Sequence, residues 1–152
     1  MTPKQKRLVQ ISFDRVKPIA DVAATLFYSC LFDLDPGLED FFTGDSEEQG
    51  RRVMRMIGLA VKGLDHLDQL VPTLLALGSR SAAYGVGEHD YKSVRKALLW
   101  TLDRALGPAF TPEMKAAWID VYELLAETMK LGARSAVLVT VRSADQRHLH
   151  RW

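Results

Sequence analysis

Apolar residues recur every three or four positions along most of this 152-residue chain, and prolines, glycines and capping residues interrupt the pattern at well-separated points. This spacing is typical of amphipathic helices that bury one face. The clearest stripe consists of Val53, Ile57, Ala60, Val61 and Leu64. The pattern therefore predicts an all-α domain of about six to eight packed helices, with no sheet and no internal repeat.

The interrupting residues also place the helix boundaries. Thr111 is suited to cap the last helix, Pro112 to occupy its first position, and Gly132 to end it. Beyond Gly132, residues 133–152 form a basic tail that we expect to be poorly ordered, and the run Ala136–Val141 favours strand over helix. Residues 1–132 are expected to form one domain. Its helices are predicted to span 3–17, 18–33, 46–64, 68–82, 88–106 and 112–131.

Composition narrows the class of protein further. Hydrophobic residues make up 47% of the chain and charged residues 26%, as in soluble globular proteins. A net charge of +1 gives no reason to expect a nucleic acid or an anionic membrane as partner. Neither a signal peptide nor a run of about 20 apolar residues is present, so we expect a cytoplasmic protein. The single cysteine, Cys30, cannot form an internal disulfide.

Four segments, taken in order and with their spacing, resemble the globin family, and more closely the bacterial single-domain globins related to neuroglobin. The resemblance implies a three-over-three helical sandwich around a pocket for haem b. It covers roughly residues 5 to 130. The segments are Leu31–Phe42 (LFDLDPGLEDFF), Arg51–Val61 (RRVMRMIGLAV), Leu77–Val86 (LGSRSAAYGV) and Ala97–Trp118 (ALLWTLDRALGPAFTPEMKAAW).

The same resemblance implies a set of cofactor-binding residues. A tyrosine and a glutamine that face one point can both donate hydrogen bonds to bound dioxygen. Taken singly, each residue has a simpler interpretation: a core aromatic for the tyrosine, a helix cap for the glutamine, and a solvated charge for the arginine. The implied residues are Tyr28, Phe42, Gln49 and Val53 on the distal side, Arg52 near a haem propionate, and Val86 and Tyr91 along the proximal edge.

Ser81 departs from the family pattern, because it stands where the proximal histidine is expected. A serine hydroxyl stays protonated and is a poor donor to iron, whereas globin iron is held by a neutral imidazole. Two other residues are alternative iron ligands. Tyr28 could bind as tyrosinate, assisted by Arg52, and His89 could reach the iron only if the turn at residues 85–87 were remodelled. No metal ligand is certain from the sequence.

Two functional hypotheses follow. The first is a haem protein concerned with oxygen, nitric oxide or haem binding and sensing, with atypical iron ligation because of Ser81. The second is a haem-free globin-fold interaction or sensor module that holds an apolar ligand, with a homodimer left open. An independent enzyme is disfavoured because no catalytic motif is present. Any activity would be haem redox chemistry, such as nitric oxide dioxygenation.

Overall fold

A computed structural model describes the backbone of residues 1–41, 46–83 and 85–149, and their side chains except at 40, 41, 46, 47, 49, 50 and 135–149. Within these ranges the chain is helical and contains no β-strand, which confirms the predicted all-α class. Three short 3-10 helices (Lys17–Ile19, Pro36–Phe41 and Gly107–Ala109) connect longer elements. The α-helices are α1 (Pro3–Val16), α2 (Ala20–Leu34), α3 (Ser46–Gly63), α4 (Leu67–Ala83), α5 (Glu88–Leu106) and α6 (Pro112–Leu149).

Most helix ends lie where local chemistry predicts them. Thr2 Oγ1 accepts from the amide of Gln5 at 3.1 Å, and Gln5 Oε1 accepts from the amide of Thr2 at 2.9 Å. This reciprocal pair is a capping box, which satisfies two backbone donors at the start of α1. Thr111 Oγ1 accepts from the amide of Met114 at 3.2 Å and caps α6. Gly85 has a φ of 89°, a conformation that favours glycine, in the turn that ends α4.

The predicted end of the last helix is wrong. Helix α6 does not stop at Gly132 but continues to Leu149, so the strand preference assigned to residues 136–141 is also wrong. The reason lies in the packing around Gly132, which is buried against α4 and is not a helix terminator. The division of the chain at residue 132 into a globin domain and a tail stays a prediction.

Helices α4 and α6 cross with their backbones in contact at two glycines. A Cβ added to Gly78 would lie 1.7 Å from the carbonyl oxygen of Met129, and one added to Gly132 would lie 2.1 Å from that of Leu75. Real Cβ atoms do not approach so closely, so only glycine fits at either position. At this crossing the backbones of α4 and α6 lie closer together than they could if a side chain stood between them.

The remaining helices close around two buried clusters. The larger joins α1, α3, α5 and α6, and the smaller joins α2 to α5. Within the larger cluster the indole nitrogen of Trp118 donates to Ser12 Oγ at 2.8 Å, which connects α1 to α6 through a buried polar pair. Since Trp118 is 3% exposed, its N–H has no access to bulk water and depends on this partner.

None of the described helices is both long and apolar enough to cross a membrane.

We predict that Gly78→Ala destabilises the protein. This is the expected result even though the helix propensity of alanine is better than that of glycine by about 1 kcal/mol. The new methyl group must push α4 away from the Met129 carbonyl, and overpacking of this kind costs about 1–3 kcal/mol or more. Urea denaturation followed by circular dichroism measures the change in the free energy of unfolding. Gly87→Ala is the matched control, because a Cβ there meets nothing within 4 Å. Equal stability of the two variants would contradict this prediction.

Candidate ligand cavity

A cavity of about 250 Å³ lies between α3, α4, α5 and α6. Nearly all of its lining is apolar, and the contribution of α6 forms one stripe at helical spacing. Phe27 of α2 closes one side and Val86, in the turn after α4, closes another. The helices contribute Met56, Ile57, Ala60 and Val61 (α3), Leu74 and Leu77 (α4), Asp90, Tyr91, Val94 and Leu98 (α5), and Trp118, Val121, Tyr122, Leu125, Ala126 and Met129 (α6).

Polar groups around the cavity are engaged by protein partners. Tyr122 donates its hydroxyl to the carbonyl oxygen of Tyr91 at 2.6 Å, and burial raises the pKa of Tyr122. Asp90 Oδ2 accepts from the amide of Gly87 at 2.8 Å and caps α5. The Nζ of Lys130 lies 5.2 Å from the centre of the Tyr91 ring. These partners leave a predominantly apolar surface for a ligand.

One acidic contact lies at the α5 edge of the cavity. The carboxyl of Asp35, at the end of α2, lies beside Asp90, and their hydrogen bond together with burial raises the pKa of Asp35. Among the described residues the buried Oδ2 of Asp35 has no hydrogen-bond partner, and the Nε2 of His89 lies 3.6 Å from it. This contact connects the segment after α2 to the start of α5.

Two of the residues implied by the resemblance lie in the cavity wall. Val86 and Tyr91 are both part of the lining. The amide of Val86 donates to the carbonyl oxygen of Ser81 at 3.0 Å, so the turn that carries Val86 is tied to the last turn of α4.

Tyr28 and Val53 lie in the neighbouring α2–α5 cluster, which shares Phe27 with the cavity wall. The ring of Tyr28 stacks on Phe32 at 5.4 Å between centroids and meets Phe27 edge-on at 5.6 Å. Tyr28 is 5% exposed, and burial raises its pKa to about 12. Burial therefore favours the neutral phenol when no metal is bound, and Tyr28 is not part of the described cavity lining.

Arg52 is exposed and pairs with Glu48 one turn earlier, at 3.4 Å between Nη2 and Oε1. An exposed pair of this kind contributes little to stability. Phe42 and the side chain of Gln49, both implied on the distal side, lie outside the described residues.

Ser81 is half-buried in the last turn of α4, one helical turn after the cavity residue Leu77. It is not itself part of the described lining. His89, the alternative ligand, is on the surface: its side chain is 78% exposed and its Nε2 is near Asp35. Among the described residues no group of three histidine, cysteine or acidic side chains could hold a metal ion.

Sequence reasoning missed most of the α6 contribution to this cavity. Trp118, Tyr122, Leu125 and Met129 lie three or four residues apart on one helix face and line the cavity together. Their spacing was a visible signal, but the same spacing predicts a packed core equally well. Only the position of α4 across α6 shows that this face encloses a space.

Comparison with known proteins gives a consistent result. Residues 25–129 match the family model for globins. Neuroglobin from Danio rerio is 30% identical over 146 residues, an alignment that covers 87% of this chain and 92% of that protein.

Two solved structures share the fold. The engineered carbene transferase from Rhodothermus marinus, provisionally described as a nitric oxide dioxygenase, superposes with a TM-score of 0.82 at 19% identity, over 93% of this chain and 99% of that one. A hexacoordinated heme protein from an anhydrobiotic tardigrade superposes with a TM-score of 0.76 at 20% identity, over 88% and 96% of the two chains. From the matched family model and the neuroglobin similarity, this chain belongs to the globin family.

Proposed function

We propose that this globin binds haem in the cavity between α3, α4, α5 and α6, and that it acts in binding or sensing oxygen, nitric oxide or haem. The observation that carries the proposal is the lining itself: an almost continuous apolar wall from four helices, in which Asp90 and the Tyr122 hydroxyl are already hydrogen-bonded within the protein. A wall of this kind suits a flat apolar macrocycle. Haem, when bound, supplies an iron centre that binds diatomic gases.

The size of the cavity is compatible with this ligand if the walls move apart. Its volume of about 250 Å³ is just below the range of roughly 300–1,000 Å³ that is usual for ligand pockets. Met56 and Met129 line it, and methionine side chains repack more easily than branched ones. Met56 is also partly exposed, so its side chain has room to move outward. We therefore expect a modest expansion when the macrocycle binds.

The iron ligands of the family do not fit this chain on the proximal side. The hydroxyl of Ser81 is a poor donor to iron, Tyr28 does not line the described cavity, and the imidazole of His89 is at the surface. We therefore propose atypical ligation, in which apolar contacts hold the macrocycle and no imidazole binds from α4. The chain's own contribution is then to exclude water and to orient the macrocycle between α3 and α4.

Any turnover would be haem redox chemistry. The Rhodothermus marinus neighbour is provisionally described as a nitric oxide dioxygenase, and this activity is the one that the fold relationship suggests assaying. We propose a binding or sensing role ahead of it, because the described lining of the cavity contains no histidine that could serve as a strong proximal ligand.

A second candidate is a haem-free module that holds a different apolar ligand. The same apolar wall supports it, and it accounts for Ser81 directly. A folded protein that ignores hemin but takes up an apolar fluorescent probe would favour this candidate.

We predict that the purified protein takes up one equivalent of hemin with a Soret band, and that Ser81→His shifts this spectrum to that of a histidine-ligated haem. The new imidazole would be one turn from Leu77, at the position where the family supplies its ligand. Absorption titration measures both. Ser79→His, on the same helix but about 200° around it, is the matched control and should leave the spectrum unchanged. The proposal is overturned if neither the parent protein nor Ser81→His takes up hemin.

We also predict that Tyr28→Phe leaves the ferric spectrum unchanged near neutral pH. Tyr28 packs against Phe27 and Phe32 in the α2–α5 cluster and does not line the described cavity, so its phenol is not placed to ligate iron there. Absorption spectra of the ferric protein and the variant provide the measurement, with Tyr122→Phe as a second buried tyrosine for comparison. Loss of a charge-transfer band in Tyr28→Phe alone would show that tyrosinate is the ligand and that this account of the site is wrong.

A further inference from the structure

Helices α4 and α6 carry apolar side chains at the protein surface as well as in the cavity wall. Leu131 of α6 is 52% exposed, and Leu124, seven residues earlier on the same helix, is 39% exposed. Val71 of α4 is 38% exposed, and Leu75, one turn later, is half-buried. A single exposed apolar residue is ordinary, whereas several that share one face indicate a surface for a partner.

Helix periodicity places these residues on one side of the α4–α6 pair. Gly132 faces α4, because a Cβ there would meet the Leu75 carbonyl oxygen. With about 100° per residue, Leu131 lies about 100° from Gly132 in one direction, and the cavity residue Met129 lies about 60° from it in the other. On α4, Leu75 lies about 200° from the cavity residue Leu77. The exposed residues therefore form an outer face, on the side of the pair away from the cavity.

Charged residues border this outer face in a self-complementary order. Glu127 lies one turn before Leu131 and Arg134 one turn after it, about 40° and 60° around α6 on the flank away from α4. Both are exposed. Glu127 Oε1 lies 3.4 Å from the Nζ of Lys130, which also binds Glu88, and Arg134 forms no ion pair within the described part of the chain. An acid and a base thus lie on either side of Leu131.

A second copy of the chain is the partner that fits this order. When two α6 helices meet antiparallel at Leu131, a two-fold axis places Glu127 of each copy beside the partner's Arg134. A parallel pair would place each charge beside its own equivalent, and like charges repel. The same axis brings α4 of one copy against α4 of the other, so that Val71 and Leu75 are covered as well.

The length of α6 also suits this contact. The helix contains 38 residues, and at 1.5 Å per residue its axis is about 57 Å long. Leu131 lies at its midpoint, between Pro112 and Leu149. Two antiparallel copies that are centred on Leu131 therefore overlap along the greatest possible length of helix.

We propose that this protein forms a symmetric dimer through the outer face of α4 and α6, with the two α6 helices antiparallel and the two Leu131 side chains at the axis. The inference rests on exposed apolar residues and on the order of the charges beside them. It requires no ligand in the cavity, so it stands or falls separately from the proposed function.

Sedimentation equilibrium of the full chain without hemin should show a reversible monomer–dimer equilibrium. Leu131→Glu should raise the dissociation constant by roughly tenfold or more, because each dimer loses two central leucines and gains two facing carboxylates. Leu59→Glu is the matched control: Leu59 is 67% exposed on α3, outside the outer face, and its dissociation constant should equal that of the parent. Circular dichroism shows whether each variant keeps its fold.

Exchange of the two charges tests the antiparallel arrangement. Glu127→Arg and Arg134→Glu should each weaken the dimer, since each places like charges together, and the double variant with both changes should restore it. A loss of folding cannot produce this restoration. The proposal is overturned if the parent is monomeric throughout the concentration range, if Leu131→Glu dimerises as the parent does, or if the double variant is as weak as the single ones. Failure of the same samples to bind hemin leaves the result intact.

Discussion

The backbone contact between α4 and α6 determines the shape of the rest of this protein. Gly78 and Gly132 leave no room for a side chain at the crossing, so the two helices meet at their main chains. Leu74 and Leu77, on the α4 turns next to this contact, line the cavity together with the α6 stripe. The cavity therefore lies directly beside the crossing.

The chemistry of the cavity wall follows from the same arrangement. Because the four helices meet through their apolar stripes, the few polar groups in the wall must find partners within the protein, and Tyr122 does so at the Tyr91 carbonyl. A ligand entering this space gains by leaving water and has little hydrogen bonding to gain. Neutral, apolar ligands are therefore favoured in this cavity.

Much of this could be predicted from the sequence, because helix caps and apolar spacing are local signals. The capping box at Thr2 and the cap at Thr111 lie where the residue types place them. Val86 and Tyr91, which the family resemblance implies along the proximal edge, line the cavity, and their contact with haem stays a prediction. The prediction that Gly132 ends the last helix is wrong. From the sequence alone, a glycine that ends a helix cannot be distinguished from one that lets another backbone approach, because the partner helix is not known. Likewise, the stripe from Trp118 to Met129 could not be recognised as a cavity wall from its spacing alone.

Two contributions ordinarily hold haem in a globin, apolar burial and iron ligation, and a serine at position 81 affects the second. Apolar burial favours a bound macrocycle by about 25 cal/mol per Å² of surface removed from water, and this contribution is spread over the whole wall. Iron ligation is local and depends on one donor, which a serine hydroxyl replaces poorly. The described lining of the cavity retains the distributed contribution, since it is almost entirely apolar, and it contains no histidine. Restoring an imidazole at position 81 alone therefore isolates what ligation adds to a pocket that apolar packing has already formed.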